Sequence, residues 1–218
     1  MPDDRYWIEE DGKKVRVPRV TTITKFVSGD PGGLMYWAWQ KGYDGITLED
    51  ARQERDVGTI VHAMIEADMH DRELPDLTAL PDEMLHACRN SFDAFHDWRR
   101  EQTEFTPVAQ EKALVSRKHR FGGKMDIVRF NGKRALMDYK TGSGIYPEHL
   151  AQIAAYGILW EENFPDKLIE RYEILRISQK GGSFHHHGWP ASEMESAKEA
   201  FLLARRMYEL HRQLKGML

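Results

Sequence analysis

The sequence contains a single cysteine, Cys88, among its 218 residues. One thiol cannot form a disulfide within the chain, and it cannot supply the four thiolates of a structural zinc site or of an iron–sulfur cluster. We therefore expect neither a disulfide framework nor an iron–sulfur cluster.

A long hydrophobic run is also missing from the sequence. No segment approaches the roughly 20 consecutive apolar residues that span a bilayer. The chain starts with MPDDR, which has acidic side chains where a secretory signal peptide requires basic ones. The sequence thus predicts neither a transmembrane segment nor a signal peptide, and we expect a protein of the cytoplasm.

The composition is that of a globular protein, with 41% hydrophobic and 30% charged side chains. It excludes a disordered or collagen-like chain, and a chain of this length can bury about 70% of the surface that it exposes when unfolded. We expect a single domain over residues 1–218. Residues 1–105 would form a hairpin and helices, residues 106–190 the core sheet, and residues 191–218 a C-terminal helix.

Charge is unevenly distributed along the chain, although the net charge is only −4. Residues 42–104 carry 16 acidic and 6 basic side chains, whereas residues 112–140 carry 9 basic side chains and only two carboxylates, Asp126 and Asp138. A basic segment of this kind is typical of a surface that contacts phosphates. It is equally typical of a solvated hairpin face, and charge alone does not decide between the two.

Hydrophobic periodicity and turn residues divide the chain into helices and strands. Alternation predicts strands on both sides of an Asp11-Gly12 turn and over residues 107–117, 121–130, 134–140, 171–178 and 183–189. A helical period predicts helices over residues 34–40, 49–71, 82–102, 147–164 and 192–215. Ser192 is the predicted N-cap of the last helix. This order of elements predicts an α/β fold with a mixed sheet.

Two of these helices have a predicted buried stripe. In the helix over residues 49–71 the stripe consists of Val57, Val61, Met64 and Ile65. In the helix over residues 82–102 it consists of Leu85, Phe92, Phe95 and Trp98.

The spacing of Asp138 and Lys140 brings a carboxylate and an ammonium together. Residues two apart on a strand project from the same face, with Cα atoms roughly 6.6 Å apart. If Asp126 on the preceding strand faces the same way, two hard oxygen ligands converge where a divalent cation would bind, beside a lysine that can orient water. Metal-assisted hydrolysis of a phosphodiester requires this combination.

The hairpin between these strands tests the idea. A tight two-residue turn at Asn131-Gly132 would place Asp126 and Asp138 on opposite faces, because side chains alternate along each strand. We therefore predict a three-residue connection, or a bulge close to Asp126.

Four short motifs together resemble the PD-(D/E)XK nuclease superfamily. They are G-G-K-M-D at residues 122–126, M-D-Y-K-T-G at residues 137–142, a helix with Gln152 and Tyr156, and G-x-x-x-H at residues 58–62. The combination is most similar to the RecB-like branch, which includes phage exonucleases and the mitochondrial genome maintenance exonuclease. The resemblance implies a restriction-endonuclease-like core, in which helices flank a central mixed sheet, with an N-terminal helical elaboration. The single cysteine departs from the iron–sulfur members of the superfamily.

The resemblance covers roughly residues 20–160 and implies a role for each matched residue. Asp126 and Asp138 would hold one or two Mg²⁺ or Mn²⁺ ions, with the main-chain carbonyl of Tyr139 as a further ligand. Lys140 would position the attacking water and stabilise developing negative charge.

Other residues would complete the site. His62 would ligate a metal ion or orient a ligand, and Glu111 matches a position where related exonucleases have a carboxylate near the metal ions. Gln152 and Tyr156, four residues apart on one helix face, would reach the edge of the site or the DNA backbone. Further DNA contacts are expected from Lys118, Arg120, Lys124 and Thr141.

The predicted function is a divalent-metal-dependent deoxyribonuclease, an exonuclease that acts on DNA ends in recombination, repair or replication. Three alternatives remain: a catalytically silent DNA-binding module, an endonuclease or RNA-directed nuclease with the same chemistry, and a hydrolase of a small phosphoester. The expected partner is linear DNA with an end, and a homo-oligomer or a recombination partner protein remains open. The triplet His185-His186-His187 is less suited to a metal, because strand alternation allows at most two of the three to share an ion.

Overall fold

The computed structural model describes residues 5–28, 42–43 and 48–218. The strands are β1 (Tyr6–Glu10), β2 (Lys13–Val17), β3 (Thr106–Ser116), β4 (Phe121–Phe130), β5 (Arg134–Lys140), β6 (Arg171–Ile177) and β7 (Phe184–Pro190). The α-helices are α1 (Val20–Ile23), α2 (Leu48–Met69), α3 (Asp82–Glu101), α4 (Pro147–Asn163) and α5 (Glu195–Lys215). The helix predicted over residues 34–40 lies outside the described residues. Within the described ranges, no helix is long and apolar enough to cross a membrane.

The main sheet has five strands in the order β3-β4-β5-β6-β7. The β5–β6 pair is parallel and the other pairs are antiparallel, so the sheet is mixed, as predicted. Helix α4 connects the two parallel strands, which is the connection that a parallel pair requires. Strands β1 and β2 form a separate two-stranded sheet.

Helices cover both faces of the main sheet, because its central strands are apolar on both sides. Val128 and Leu136 pack with α1, α4 and α5 in one core, and Ile127 and Met137 pack with α2 and α3 in the other. The stripe predicted for α2 is buried at all four positions: Val57, Val61, Met64 and Ile65.

The stripe predicted for α3 is confirmed only at Phe95 and Trp98. Leu85 and Phe92 are half-buried instead. The buried face of α3 is shifted around the helix and is formed by Met84, Cys88, Ser91, Ala94, Phe95 and Trp98. Small residues at 88, 91 and 94 allow α3 to approach the sheet closely, whereas the two larger side chains flank that contact.

The β4–β5 hairpin has the predicted three-residue connection, residues 131–133. Its ladder runs from Phe130 opposite Arg134 to Ile127 opposite Met137. Continued by one residue beyond the ladder, this register would place Asp126 opposite Asp138, so the connection has the odd length that a shared site requires.

The start of the last helix differs from the prediction. Helix α5 begins at Glu195, and its N-cap is Met194, which makes no side-chain capping bond. Ser192 lies in a 3₁₀ turn, Ala191–Glu193. The predicted cap is wrong because Pro190 ends β7 and the Ala191 N–H donates to the Glu170 carbonyl, which fixes the chain four residues before the helix begins.

Candidate active site

The pairing of β4 and β5 ends where the two aspartates lie. The last backbone pair is Ile127 with Met137. Beyond it, the Tyr139 N–H donates to Asp126 Oδ2 at 2.7 Å. The side chain of Asp126 thus takes the place of a main-chain acceptor and holds the strands apart at this point, which satisfies a buried donor that would otherwise be costly.

Helix α2 approaches this gap through Gly58 and His62, one turn apart. A Cβ at Gly58 would lie 3.0 Å from Oγ1 of Thr141, so glycine allows the helix to approach the end of β5. His62 Nε2 lies 3.2 Å from the Tyr139 carbonyl oxygen, and His62 Nδ1 lies 3.4 Å from Asp126 Oδ1. One imidazole therefore contacts both strands of the hairpin.

Strand β3 contributes Glu111 through an irregular backbone. Glu111 has a φ of 46°, in the left-handed region that a non-glycine residue rarely adopts. On β4, Met125 and Ile127 pack in opposite cores although they are two residues apart, so the side-chain alternation changes phase at Asp126. Such irregularities re-aim side chains beside active sites.

These irregularities bring three potential ligands together. One atom each from His62, Glu111 and Asp126 lies within 4.8 Å of the others. An imidazole nitrogen with carboxylate oxygens is a donor set that divalent cations such as Mn²⁺ or Mg²⁺ accept. The residues present therefore fit a divalent metal ion.

A second network lies beside this cluster. The Lys140 ammonium forms an ion pair with Asp138. Gln152 on α4 accepts a hydrogen bond from Lys140 at 3.2 Å and lies within donating distance of Asp138, at 3.3 Å. Gln152 also lies 2.9 Å from the Tyr156 hydroxyl. The helix thus fixes both charged groups of the D-x-K pair.

The pKa values indicate an excess of negative charge. Burial opposes the charged form of His62, but Asp126, Asp138 and Glu111 together raise the pKa of His62 to about 9. Burial is the main cause that raises the pKa of Asp138 to about 6, and Asp126 adds to it while Lys140 opposes it. Burial followed by Asp126 raises the pKa of Glu111. A bound cation would relieve this repulsion.

The predicted DNA-contacting residues fall into two groups. Lys124, Thr141, Gln152 and Tyr156 lie at or beside the site; Lys124 forms an ion pair with Glu111, and Thr141 lies 3.2 Å from Gln179. Arg120 lies in the β3–β4 turn, about 20 Å along the strand from Asp126 at 3.3 Å per residue. It bonds Glu10 Oε2 at 2.7 Å, and Lys118 lies in the same turn.

Two neighbours of the site carried no sequence signal. Gln179 lies in the β6–β7 connection, within 3.2 Å of Thr141. His149 lies on α4, where burial and then the charge of Lys140 lower the pKa of His149 to about 4. In the part of the chain that the structure describes, the histidine triplet does not belong to a group of potential metal ligands, and His186 lies 3.4 Å from Glu173. Among the described residues, the side chains placed close enough together to hold a metal ion are those of His62, Glu111 and Asp126.

A five-stranded mixed sheet with a D-x-K pair beside a carboxylate and histidine cluster is the arrangement of a nuclease core. The family model of the PD-(D/E)XK nuclease superfamily matches residues 35–209. The chain therefore belongs to the PD-(D/E)XK nuclease superfamily. Comparison with curated proteins gave no match.

Solved structures similar to this fold include a candidate exonuclease from Eubacterium rectale. It has 10% sequence identity and a TM-score of 0.52, and the match covers 82% of this chain and 73% of that chain. A second is LHK-Exo in complex with dAMP, with 9% identity, a TM-score of 0.41, and 93% and 95% coverage of the two chains. At these identities, the E. rectale structure supports the fold.

Proposed function

We propose that this protein is a divalent-metal-dependent deoxyribonuclease that degrades DNA from ends in recombination, repair or replication, and that residues 1–218 act as one nuclease domain. The observation that carries the proposal is the junction of two networks at the end of the β4–β5 ladder. The Asp138–Lys140 ion pair lies beside the cluster of His62, Glu111 and Asp126. The exonuclease assignment rests on the RecB-like motif set.

The metal ligands would be His62, Glu111, Asp126, Asp138 and the Tyr139 carbonyl. Carboxylate and carbonyl oxygens suit Mg²⁺ and Mn²⁺, and the imidazole shifts the preference towards Mn²⁺. When bound, the ion supplies Lewis-acid polarisation of the phosphate and lowers the pKa of a ligated water. His62 Nε2 and the Tyr139 carbonyl oxygen lie 3.2 Å apart, so one ion would be within reach of both atoms.

Lys140 is the proposed catalytic cation. Its ammonium is held by Asp138 and by Gln152, so its three N–H donors point in defined directions. From this position it would orient the attacking water and stabilise the charge that develops on the phosphate oxygens. Gln152 acts as a positioning residue, and the Tyr156 hydroxyl next to its amide fixes the orientation of Gln152.

Lys124 and Thr141 are the proposed contacts to DNA phosphates near the scissile bond. Lys124 is partly exposed and lies next to the cluster through its ion pair with Glu111. Thr141 presents a hydroxyl where α2 and β5 meet. Arg120 and Lys118 would contact the DNA farther from the site, since they lie in the β3–β4 turn.

A catalytically silent DNA-binding module is the second candidate. It would be expected to lose at least one of Asp126, Asp138 and Lys140, and all three are present and in contact with their partners. The intact set therefore favours an enzyme.

A digestion experiment distinguishes the candidate functions. The protein is incubated with Mg²⁺, Mn²⁺ or EDTA and with end-labelled DNA in three forms: linear duplex, linear single-stranded and closed circular. We expect metal-dependent loss of linear DNA, protection of circles, and no activity for Lys140→Ala. Lys133→Ala, an exposed lysine at the hairpin tip, is the matched control and should act like wild type. Cleavage of circles would establish an endonuclease, cleavage of RNA alone an RNA-directed nuclease, and binding without cleavage the silent module.

A further inference from the structure

A basic groove lies between the β1–β2 sheet, α1 and the C-terminal part of α5. Its volume is about 630 Å³. The basic residues that line it are Arg5, Arg16, Arg19, Lys25 and Arg212, and among its described lining residues none is acidic. A chain with a net charge of −4 thus concentrates five cations in one depression.

Three of the groove cations favour the binding of an anion. Arg16, Lys25 and Arg212 are exposed and come from three different elements, β2, the 3₁₀ turn after α1, and α5. Within the part of the chain that the structure describes, none of these three forms an ion pair. Their charge is therefore available to a polyanion.

The groove adjoins the strand that carries Asp126. Arg19 forms a parallel β-bridge with Gly122, and a Cβ at Gly122 would lie 2.3 Å from Cγ of Tyr6, so the Tyr6 ring is seated on this glycine. Asp126 is four residues farther along β4, a distance of about 13 Å. Lys124, partly exposed, lies between the two.

That separation corresponds to about four nucleotides at 3.4 Å of rise per phosphate in a stacked strand. A strand held at the metal cluster therefore has its backbone within reach of the groove a few nucleotides away. The path between them passes Lys124, which is proposed above as a phosphate contact.

We propose that this groove is a second binding site for the polynucleotide substrate, which holds backbone phosphates about four nucleotides from the cleavage site. The inference rests on the proposed nuclease function, since it assigns the same substrate to a separate surface. One arginine guanidinium can donate two parallel hydrogen bonds to a phosphate group, and threonine hydroxyls commonly add further phosphate contacts. Thr21 and Thr22 also line the groove.

The aromatic lining fits the same ligand. Tyr6 and Tyr208 also line the groove. Flat aromatic rings beside a cationic track are typical of surfaces that bind unpaired bases and their backbone without sequence preference. The site would therefore add affinity for long strands and no sequence specificity.

Two triple variants test the groove with equal loss of charge. Arg16→Gln, Lys25→Gln and Arg212→Gln remove three groove cations, and Lys133→Gln, Lys167→Gln and Arg206→Gln remove three exposed cations elsewhere. Circular dichroism melting curves establish that both variants fold. Cleavage is then measured on strands of about 2 and about 30 nucleotides, because only the longer strand can span the distance of about four nucleotides from the metal cluster to the groove.

On the longer strand, we expect the groove variant to have a KM roughly tenfold or more above that of the control variant, with kcat unchanged. On the shorter strand the two variants should act equally. In EDTA, fluorescence anisotropy should show a smaller salt dependence of binding for the groove variant. Loss of three phosphate contacts should lower the slope of log K against log salt by about 2 when single-stranded DNA is titrated and by about 2.7 when duplex DNA is titrated. The form of DNA whose slope falls is the form that the groove binds.

Equal KM values and equal salt slopes for both variants on the longer strand would overturn the groove proposal while leaving the nuclease intact. Failure of the wild type to cleave any nucleic acid would overturn the proposed function instead. The anisotropy experiment needs no cleavage, so it still decides whether the groove binds a polynucleotide in that case.

Discussion

The carboxylate of Asp126 accepts the main-chain N–H of Tyr139 at 2.7 Å, while the carbonyl of the same Tyr139 faces His62. The main chain of one residue on β5 thus contacts both a carboxylate on β4 and an imidazole on α2. This relationship orders the cluster before any cation binds, because the backbone of β5 fixes the positions of both side chains. Preorganised ligands of this kind bind a metal with little loss of conformational freedom.

Metal binding is tested by Asp126→Asn. The amide oxygen can still accept the Tyr139 N–H, so the fold should persist, but the formal charge of the ligand is lost. We expect Mn²⁺ affinity, measured by calorimetry, to fall by more than the roughly 10- to 100-fold typical of outer-shell partners. Mn²⁺ should raise the melting temperature of the wild type and of Asp93→Asn, an exposed control, and should leave Asp126→Asn unchanged. Equal shifts in all three proteins would remove Asp126 from the ligand set.

Loss of Lys140 should separate chemistry from binding. Lys140→Gln should lower kcat by roughly 100- to 1,000-fold, as removal of a group that stabilises transition-state charge does. Mn²⁺ affinity should not fall, because an ammonium cannot ligate a cation and its positive charge beside Asp138 opposes one. A variant that retains kcat would exclude Lys140 from catalysis.

The Gln152–Tyr156 contact predicts that substitutions at these two residues lower kcat to different degrees. Tyr156→Phe removes only the hydroxyl beside the Gln152 amide, a contact of 2.9 Å that normally contributes about 0.5–1.5 kcal/mol. We expect a fall in kcat of roughly 3- to 10-fold with KM unchanged. Gln152→Ala should reduce kcat more than Tyr156→Phe and less than Lys140→Gln. If Tyr156→Phe raises KM alone, then Tyr156 contacts DNA and does not position Gln152.

The parity of the hairpin and the helical spacing of Gly58 and His62 were predictable from the sequence. Both follow from local periodicity, since a strand alternates every two residues and a helix turn places residues four apart on one face. The left-handed backbone of Glu111 was not predictable, because nothing in the residue type favours a positive φ. The basic groove was not predictable either, since Arg16 and Arg212 meet only in the folded chain.

The contact between Gly58 and Thr141 predicts a rescue. A methyl group at residue 58 would lie 3.0 Å from Thr141 Oγ1, closer than such contacts usually are, so Gly58→Ala should displace α2 and His62 from β5. Mn²⁺ affinity should fall, although helix propensity favours alanine over glycine by about 1 kcal/mol. Addition of Thr141→Ala removes the hydroxyl and should restore affinity, which a double-mutant cycle by calorimetry quantifies. Additive losses would show that the close approach is not needed.

A buried ion pair away from the site predicts the response to acid. Arg129 and Glu173 are each about 1% exposed, and two Arg129 nitrogens donate to Glu173 at 2.9 and 3.0 Å. Burial opposes ionisation of Glu173, but His186 and Arg129 outweigh it and lower the pKa of Glu173 below its usual 4.5. A carboxyl group with a pKa lowered by folding stabilises the native state above the unfolded pKa and loses this contribution as the pH falls through the folded value.

Glu173→Gln should therefore destabilise the protein by about 3–5 kcal/mol at neutral pH, because Arg129 stays buried without its partner charge. The difference in unfolding free energy between wild type and variant should narrow as the pH falls from 4.5 through the lower folded pKa of Glu173, because the wild-type carboxyl then becomes neutral like the glutamine amide. Urea titrations at a series of pH values measure both effects. An exposed control, Glu83→Gln, should follow the wild type throughout. If the difference in unfolding free energy stays constant with pH, then the charge of Glu173 does not contribute to stability and the variant is destabilised by packing alone.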